Sequence, residues 1–239
     1  MPAVSKRSLA SAAARNNAEW CHAFCRTHGI AGRFQAASWS SPVRTPPLYP
    51  DAVTLRPEIP VERVLAGIDT SEGCGVKDSF ASLDLGADGF RPLFRAEWVV
   101  KEPATGRYRS ALEWSPITTG AELREWEATW GEVPGGSDFF RPALFEDKRI
   151  AVLAGHDGDR IVAGGIANRS TNVIGLSNVF GAAGELESAW ASAAAAAAAL
   201  WGFMPVVSYD RGDSLEAAHG AGFDSVGELT VWLRAARPP

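Results

Sequence analysis

Cysteine is scarce here. Three in 239 residues, irregularly spaced, exclude a disulfide framework in a chain of this size. No stretch of 18 uncharged apolar residues occurs, and the alanine run 193–199 is too weakly apolar to span a bilayer, so no membrane role is expected. The opening MPAVSKRSLASAAARNN lacks the Leu/Val-rich core of a secretory signal. Its Arg/Ser/Ala-rich, acid-poor character leaves an organelle transit peptide open, with the cytoplasm as the default location. What remains is the composition of a globular protein: 46% apolar and 21% charged residues exclude a disordered tail or a collagen-like rod.

Charge is uneven. The net value is −5, yet residues 1–50 carry six basic residues and one acid, leaving −10 for the rest. A basic front segment can mark a nucleic-acid contact. Here Lys6, Arg7, Arg15, Arg26, Arg33 and Arg44 are dispersed, and no glycine-aromatic RNA signature accompanies them. An exposed helix face meeting an acidic surface is the simpler reading, and nucleic acid is not an expected partner. Cys21, Cys25 and His28 fall on one helical face, a spacing that zinc would accept if a fourth ligand came from elsewhere. No second ligand pair supports it, and Trp20 and Phe24 sit on neighbouring positions, so buried core cysteines are expected and no metal.

Hydrophobic period and turn chemistry give the order of elements. Residues 8–28 predict a helix ending at Gly29. Residues 38–60 hold six prolines and predict a long ordered loop with a short strand near Ala52–Leu55. VERVLAGI (61–68) predicts a short helix, Gly73–Gly75 a turn, and RPLFRAEWVV (91–100) a strand. In TTGAELREWEATWG (118–131), Thr119 and Glu122 have capping-box spacing ahead of an apolar face of Leu123, Trp126 and Trp130. Three strand patterns follow, at RIAVLAGHDG, RIVAGGIANRS and NVIGLSNVF, joined by Asp-Gly and Arg-Ser-Thr-Asn turns as in an antiparallel meander. Then come a helix (185–202), the strand PVVSYD (205–210), a short helix (214–222) and a final strand region in FDSVGELTVWLR. From Thr118 the order is α-β-β-β-α-β-α-β, an α/β arrangement. A weak internal echo links DSFASLDLGADGFRPLFRAEWVV (78–100) to DSLEAAHGAGFDSVGELTVWL (213–233): Asp-Ser, a short helical run, Gly-Phe, then a strand carrying Trp.

That order resembles the GCN5-related N-acetyltransferase (GNAT) superfamily over roughly residues 110–235. Its most specific parts are IVAGGIANRS with NVIGLSNVF, the helix Glu185–Gly202, PVVSYD, and AAHGAGFDSVGELTVWL with Gly222-Phe223. The front half, with NNAEWCHAFCRTHG, PPLYPDAVTL and VKDSFASLDL, is similar to bacterial GNAT-like proteins. The resemblance implies a mixed, mostly antiparallel central sheet flanked by helices at 110–239. Residues 1–109 are then an α+β region that reads as a partial copy of the same fold.

The implied activity is acyl-CoA-dependent N-acyl transfer, with acetyl-CoA or another acyl-CoA giving its acyl group to an amine of a small molecule or protein. A homodimer is the assembly it allows. In the family, the strand before the long helix splays from its neighbour, and the loop into the helix cradles a pyrophosphate on backbone N–H groups. The resemblance places Val179, Phe180, Gly181, Gly184 and Ser188 at that cofactor site. This sequence departs from the family's Arg/Gln-x-x-Gly-x-Gly/Ala: the loop is GAAGELESAW, with no Arg or Gln to open it and with Glu185 and Glu187 beside it. Those acids also suit the first turn of a helix.

Many members of the family use a tyrosine four residues before the Gly-Phe glycine, and here that position is Ala218. Tyr209 is the nearest phenol and stands as the candidate acid. Its alternative is a core aromatic. For a general base the candidates are Asp210, His156 and Glu113. Asp210 with Arg211 and Asp213 also suits a capping cluster, and His156 a solvated turn. Ser177 and Asn178 are polar residues inside an apolar strand. They face either an acceptor amine or acyl carbonyl, with Asn178 then catalytic, or a β-bulge that needs polar partners. Two other functions fit the same pattern: a non-catalytic ligand-binding or interaction module with a degenerate CoA site, and a transferase drawing on an aminoacyl-tRNA or carrier-protein donor.

Overall fold

The computed structural model describes residues 5–103, 110–133 and 138–235. Residue 109, the expected end of the front region, and 134–137 of the loop after Trp130 lie outside the described residues. The chain is mixed α/β, with mostly antiparallel strand pairing and flanking helices. It divides into two compact units, residues 1–98 with 226–239, and residues 99–225.

In the first unit, α1 (Lys6–Thr27) is capped by the Ser5 side chain, which accepts the Ser8 N–H. Short strands β1 (Arg33–Phe34), β2 (Ser38–Ser40) and β3 (Ala52–Thr54) pair antiparallel in sequence. Helix α2 (Val61–Leu65) precedes β4 (Gly75–Asp78), which lies parallel to β3. β5 (Phe90–Lys101) and β11 (Asp224–Arg234) each have residues in both units, and β11 pairs antiparallel with β4. β2 lies in the proline-rich stretch and β4 at the glycine turn, where hydrophobic alternation gives no signal. β4 is buried at every residue although half of it is Lys77 and Asp78.

The buried charged groups of this unit find partners within it. The Lys77 ammonium donates to Asn17 Oδ1 at 2.8 Å. The Asp78 carboxylate accepts the Leu83 and Phe80 N–H groups. Asp51 accepts from Arg44, Thr45 and the Gly75 N–H. Cys21 and Cys25 are buried in α1, with the Cys21 thiol 3.9 Å from Asn17 Oδ1 and the His28 ring 4.8 Å from Phe24. Burial pushes the Cys25 thiol up to about 12 and raises Cys21 as well, so neither favours the thiolate that binds metal. Among the described residues no three His, Cys, Asp or Glu side chains are grouped to hold a metal, and no helix is long and apolar enough to cross a membrane.

The second unit follows the order read from the sequence, with the edge strand β6 (Glu113–Pro116) and a short 3-10 turn at Pro142–Glu146 added. Helix α3 (Gly120–Trp130) begins at the capping box of Thr119 and Glu122. Strands β7 (Ile150–Asp157), β8 (Arg160–Arg169) and β9 (Ile174–Phe180) form the antiparallel meander. Helix α4 (Leu186–Trp201), β10 (Val206–Asp210) and α5 (Gly212–Gly220) complete it, giving the strand order β10-β9-β8-β7-β6. Trp190, Leu176, Val206, Ala218 and Phe223 lie in one core cluster, while Trp126 on α3 is fully buried and donates its Nε1–H to the Leu153 carbonyl.

Candidate functional site

Strands β9 and β10 run parallel, but the paired residues are only Ile174 with Val206 and Gly175 with Val207, the first two of each strand. The Ser208 hydroxyl donates to the Leu176 carbonyl at 2.6 Å, and beyond it Ser177–Phe180 and Tyr209–Asp210 are not paired with each other. A bulge causes the parting. On β8, Gly164 faces Phe180 and Ile166 faces Ser177, so a single β8 residue opposes both Asn178 and Val179. Asn178 absorbs the extra residue at φ 54°, a left-handed conformation that Asn tolerates better than most side chains.

The bulge also re-sorts the faces of β9. In an unbroken strand, residues three apart point to opposite faces. Here Leu176 and Val179 both lie beside Gly165 on the α4 side, 3.3 and 3.5 Å from where a Cβ would stand. Phe180 turns the other way, onto Trp126 at 5.1 Å. The Phe180 ring therefore serves the α3 core, and only its backbone borders the opening. Ser177 Oγ is buried with no partner among the described residues, and Asn178 is half-buried beside it.

The loop from β9 into α4 approaches the helix closely. A Cβ on Gly181 would stand 2.9 Å from Ala189 Cβ, and Gly184 takes φ 80°. The Glu185 N–H donates to the Ala182 carbonyl, and the Glu185 side chain makes no capping bond. Unlike α1 and α3, then, α4 begins with first-turn N–H groups that no side chain caps. Such groups carry partial positive charge and suit an anion. Ser188 is half-buried in this turn. The Glu187 carboxylate leans onto α5: a Cβ on Gly220 would lie 2.5 Å from Glu187 Oε2. Glu185 is exposed, where salt screens its repulsion of an anion. The backbone at this junction suits an anion, and both acids beside it are exposed to solvent.

The remaining candidates separate into two places. Tyr209 is half-buried at the end of β10. Asp210 follows it, and its carboxylate accepts the Arg211 N–H at 2.9 Å and the Ser214 hydroxyl at 2.8 Å. Ser214 Oγ in turn accepts the Trp190 indole N–H. Burial raises the Asp210 pKa, and those two bonds oppose the rise. These bonds tie the Asp210 carboxylate to the residues that open α5.

His156 and Glu113 are instead cross-strand neighbours on β7 and β6, with His156 Nε2 3.5 Å from Ser115 Oγ. β7 is two strands from β9, roughly 10 Å, so this pair does not reach the opening. Ala218 is fully buried in the core. Sequence reasoning missed the Trp126–Phe180 contact and the Glu187–Gly220 contact. The Gly164-Gly165 pair was the available signal for the first: a Cβ on Gly164 would stand 2.3 Å from Trp126 Nε1.

A parallel pair that parts at a bulged strand, with a long helix starting at the parting, defines the GNAT fold, and the chain carries it. It superposes on a GCN5-related N-acetyltransferase from Kribbella flavida with TM-score 0.62, at 13% identity, covering 94% of this chain and 96% of that one. A conserved protein of unknown function from Staphylococcus epidermidis gives 0.54 at 10% identity, over 85% and 93%. A protein from Novosphingobium aromaticivorans assigned to the GNAT family of acetyltransferases gives 0.51 at 12% identity, over 91% and 96%. No family model matches the sequence, and no curated protein does.

Proposed function

We propose that the chain is an acyl-CoA-dependent N-acyltransferase acting at the β9/β10 opening. The observation that carries this is the junction itself: the parting at Ser177–Asn178 stands directly before a helix whose first N–H groups no side chain caps. An acyl-CoA supplies an activated thioester carbonyl when bound. Gly181, Gly184 and the N–H groups of residues 186–188 would hold its pyrophosphate, with the Ser188 hydroxyl beside them. The buried Ser177 hydroxyl, free of other partners, is available to orient a carbonyl or an amine, and Asn178 presents an amide at the same bend. Orientation of the amine against the carbonyl carries much of the rate in such a reaction. Tyr209 stands as the proton donor in this scheme, and Asp210 as a positioning residue through its bonds to Arg211 and Ser214.

A second reading, a binding module without turnover, draws on Ala218. The residue where many GNAT enzymes carry a tyrosine is a core alanine here. A thermal-shift series with acetyl-CoA and longer acyl-CoAs tests both. A ligand at 100 times its dissociation constant adds about 2.7 kcal/mol of stability, and no shift with any acyl-CoA overturns the CoA assignment. Turnover separates the readings: Asn178→Ala should lower the acylation rate far more than the melting temperature. A bound CoA with no transfer to any amine in a broad panel favours the module.

A further inference from the structure

Away from the opening, one contact in the first unit depends on the protonation of a single ring. Trp39, the central residue of β2, is fully buried. Its indole Nε1–H donates to His22 Nδ1 on α1 at 3.2 Å. An indole nitrogen can only donate, so His22 must meet it with a bare nitrogen, and the bond exists only with a neutral imidazole. A charged imidazole carries N–H groups at both positions and turns the contact into donor against donor.

The packing leaves little room to absorb that loss. The chain leaving α1 crosses the indole so closely that a Cβ on Gly32 would stand 2.6 Å from Trp39 Nε1, and the buried indole offers water no place beside it. The two rings meet at 82°, and the N–H edge of an indole is the positive end of its quadrupole, which repels a cation. Phe34, 5.3 Å from the His22 ring, already carries the Arg15 guanidinium at 4.2 Å. The charged residues of the packed elements are mainly basic. On α1 they are Arg15, Glu19 and Arg26, with Glu19 bound to Arg15 at 2.8 Å. His28 titrates further along the same helix end, β1 adds Arg33, and β2 adds none.

We propose that His22 is a pH-sensitive latch between α1 and the β1–β2 hairpin, closed by the neutral ring and released by its protonation. The hairpin suits such control. β1 stands at the end of the strand order and pairs with β2 over two residues, with one further bond from the Gln35 N–H to the Ser38 carbonyl closing the turn. The unfolded chain takes up a proton on this side chain near pH ~6.5, whereas the closed latch excludes it, so the unfolded state binds more protons as pH falls. The stability that the latch contributes is therefore present above that pH and lost below it. This is opposite in sign to the effect of a buried acid that holds its proton.

Denaturant melts across the histidine range, from about pH 8 to about pH 5, test this on the full chain, wild type against His22→Gln. Glutamine keeps an acceptor oxygen and does not titrate. On acidification the folding equilibrium constant of the wild type should fall at least about fivefold further than that of His22→Gln, the cost of leaving a buried N–H unpaired. In parallel, the Trp39 indole N–H resonance of the folded wild type, assigned by its loss in Trp39→Phe, should shift or broaden over the same range. Equal pH dependence in wild type and His22→Gln overturns the proposal. So does an indole resonance that stays unchanged to the acid end of the range, and that measurement decides the matter should His22→Gln fail to fold.

Discussion

The two units follow one plan and differ at its centre. Each holds a parallel strand pair, β3 with β4 and β9 with β10. Each ends the second strand of that pair in an aspartate that accepts hydrogen bonds from the residues just after it, Asp78 and Asp210. Each then reaches a left-handed glycine, Gly89 at φ 80° or Gly222 at φ 84°, followed by a buried phenylalanine at the head of a long strand.

Between the paired strands they part company. The first unit has the five-residue α2, entered through Pro57 and Pro60, with Pro60 as its cap. The second has a glycine loop and the sixteen-residue α4. Proline removes the donors an anion needs, and so short a helix sums few peptide dipoles. Both units thus share these strand and turn features, while only the second sets a glycine loop and a long helix between its paired strands.

The largest test is at Gly164. Gly164→Ala drives a Cβ into Trp126 and Phe180 and should cost about 3 kcal/mol in urea unfolding; a near-neutral result breaks the account of the α3 face. Next, Gly181→Val should abolish any acyl-CoA thermal shift, whereas Pro60→Ser should leave it intact, since the proposed site lies in the second unit. The aspartates should rank by burial. Asp78→Ala, at a fully buried carboxylate with backbone donors left unpaired, should cost about 2–3 kcal/mol and Asp210→Ala about 1–2 kcal/mol, both read from denaturant midpoints. Gly89→Ala and Gly222→Ala should each cost about 1 kcal/mol for the left-handed backbone, and a marked inequality would separate the two turns.

The smallest effect is on pH. Burial raises the Asp78 and Asp210 pKa values above 3.8 in the folded chain, so the folded state holds those protons more tightly than the unfolded state. Their contribution to stability is then largest below the unfolded pKa and declines as pH rises through the folded pKa. Asp78→Asn and Asp210→Asn should each flatten that decline in melts across the acidic range.

Much of this fold is legible in local chemistry. The capping box at Thr119 and Glu122, the Asp-Gly turn of the meander and the alternation of β7 to β9 are fixed within a few residues, and the helix order from Thr118 follows. β1, β2, β4 and β6 were not legible, because a two- to four-residue strand is stabilised by its partner and carries too little pattern of its own. Lys77 and Asp78 shut β4 out of any hydrophobic count, yet Asn17 on α1 and the turn after Asp78 make their burial tolerable. The candidate site divides in the same way. Ser177-Asn178 announced an irregularity as polar residues in an apolar strand, but a sequence cannot say which of them takes the left-handed turn or which side chains cross to the other face.

The sequence by itself determined the helices, the meander and the glycine loop, because caps, turns and periodicity act between residues a few positions apart. The tertiary structure alone decided where β9 parts from β10, that Glu187 leans on Gly220, and that His156 with Glu113 sits two or more strands from the opening. Those depend on register and on side chains meeting across long stretches of chain, where one residue of slip changes which atoms face each other.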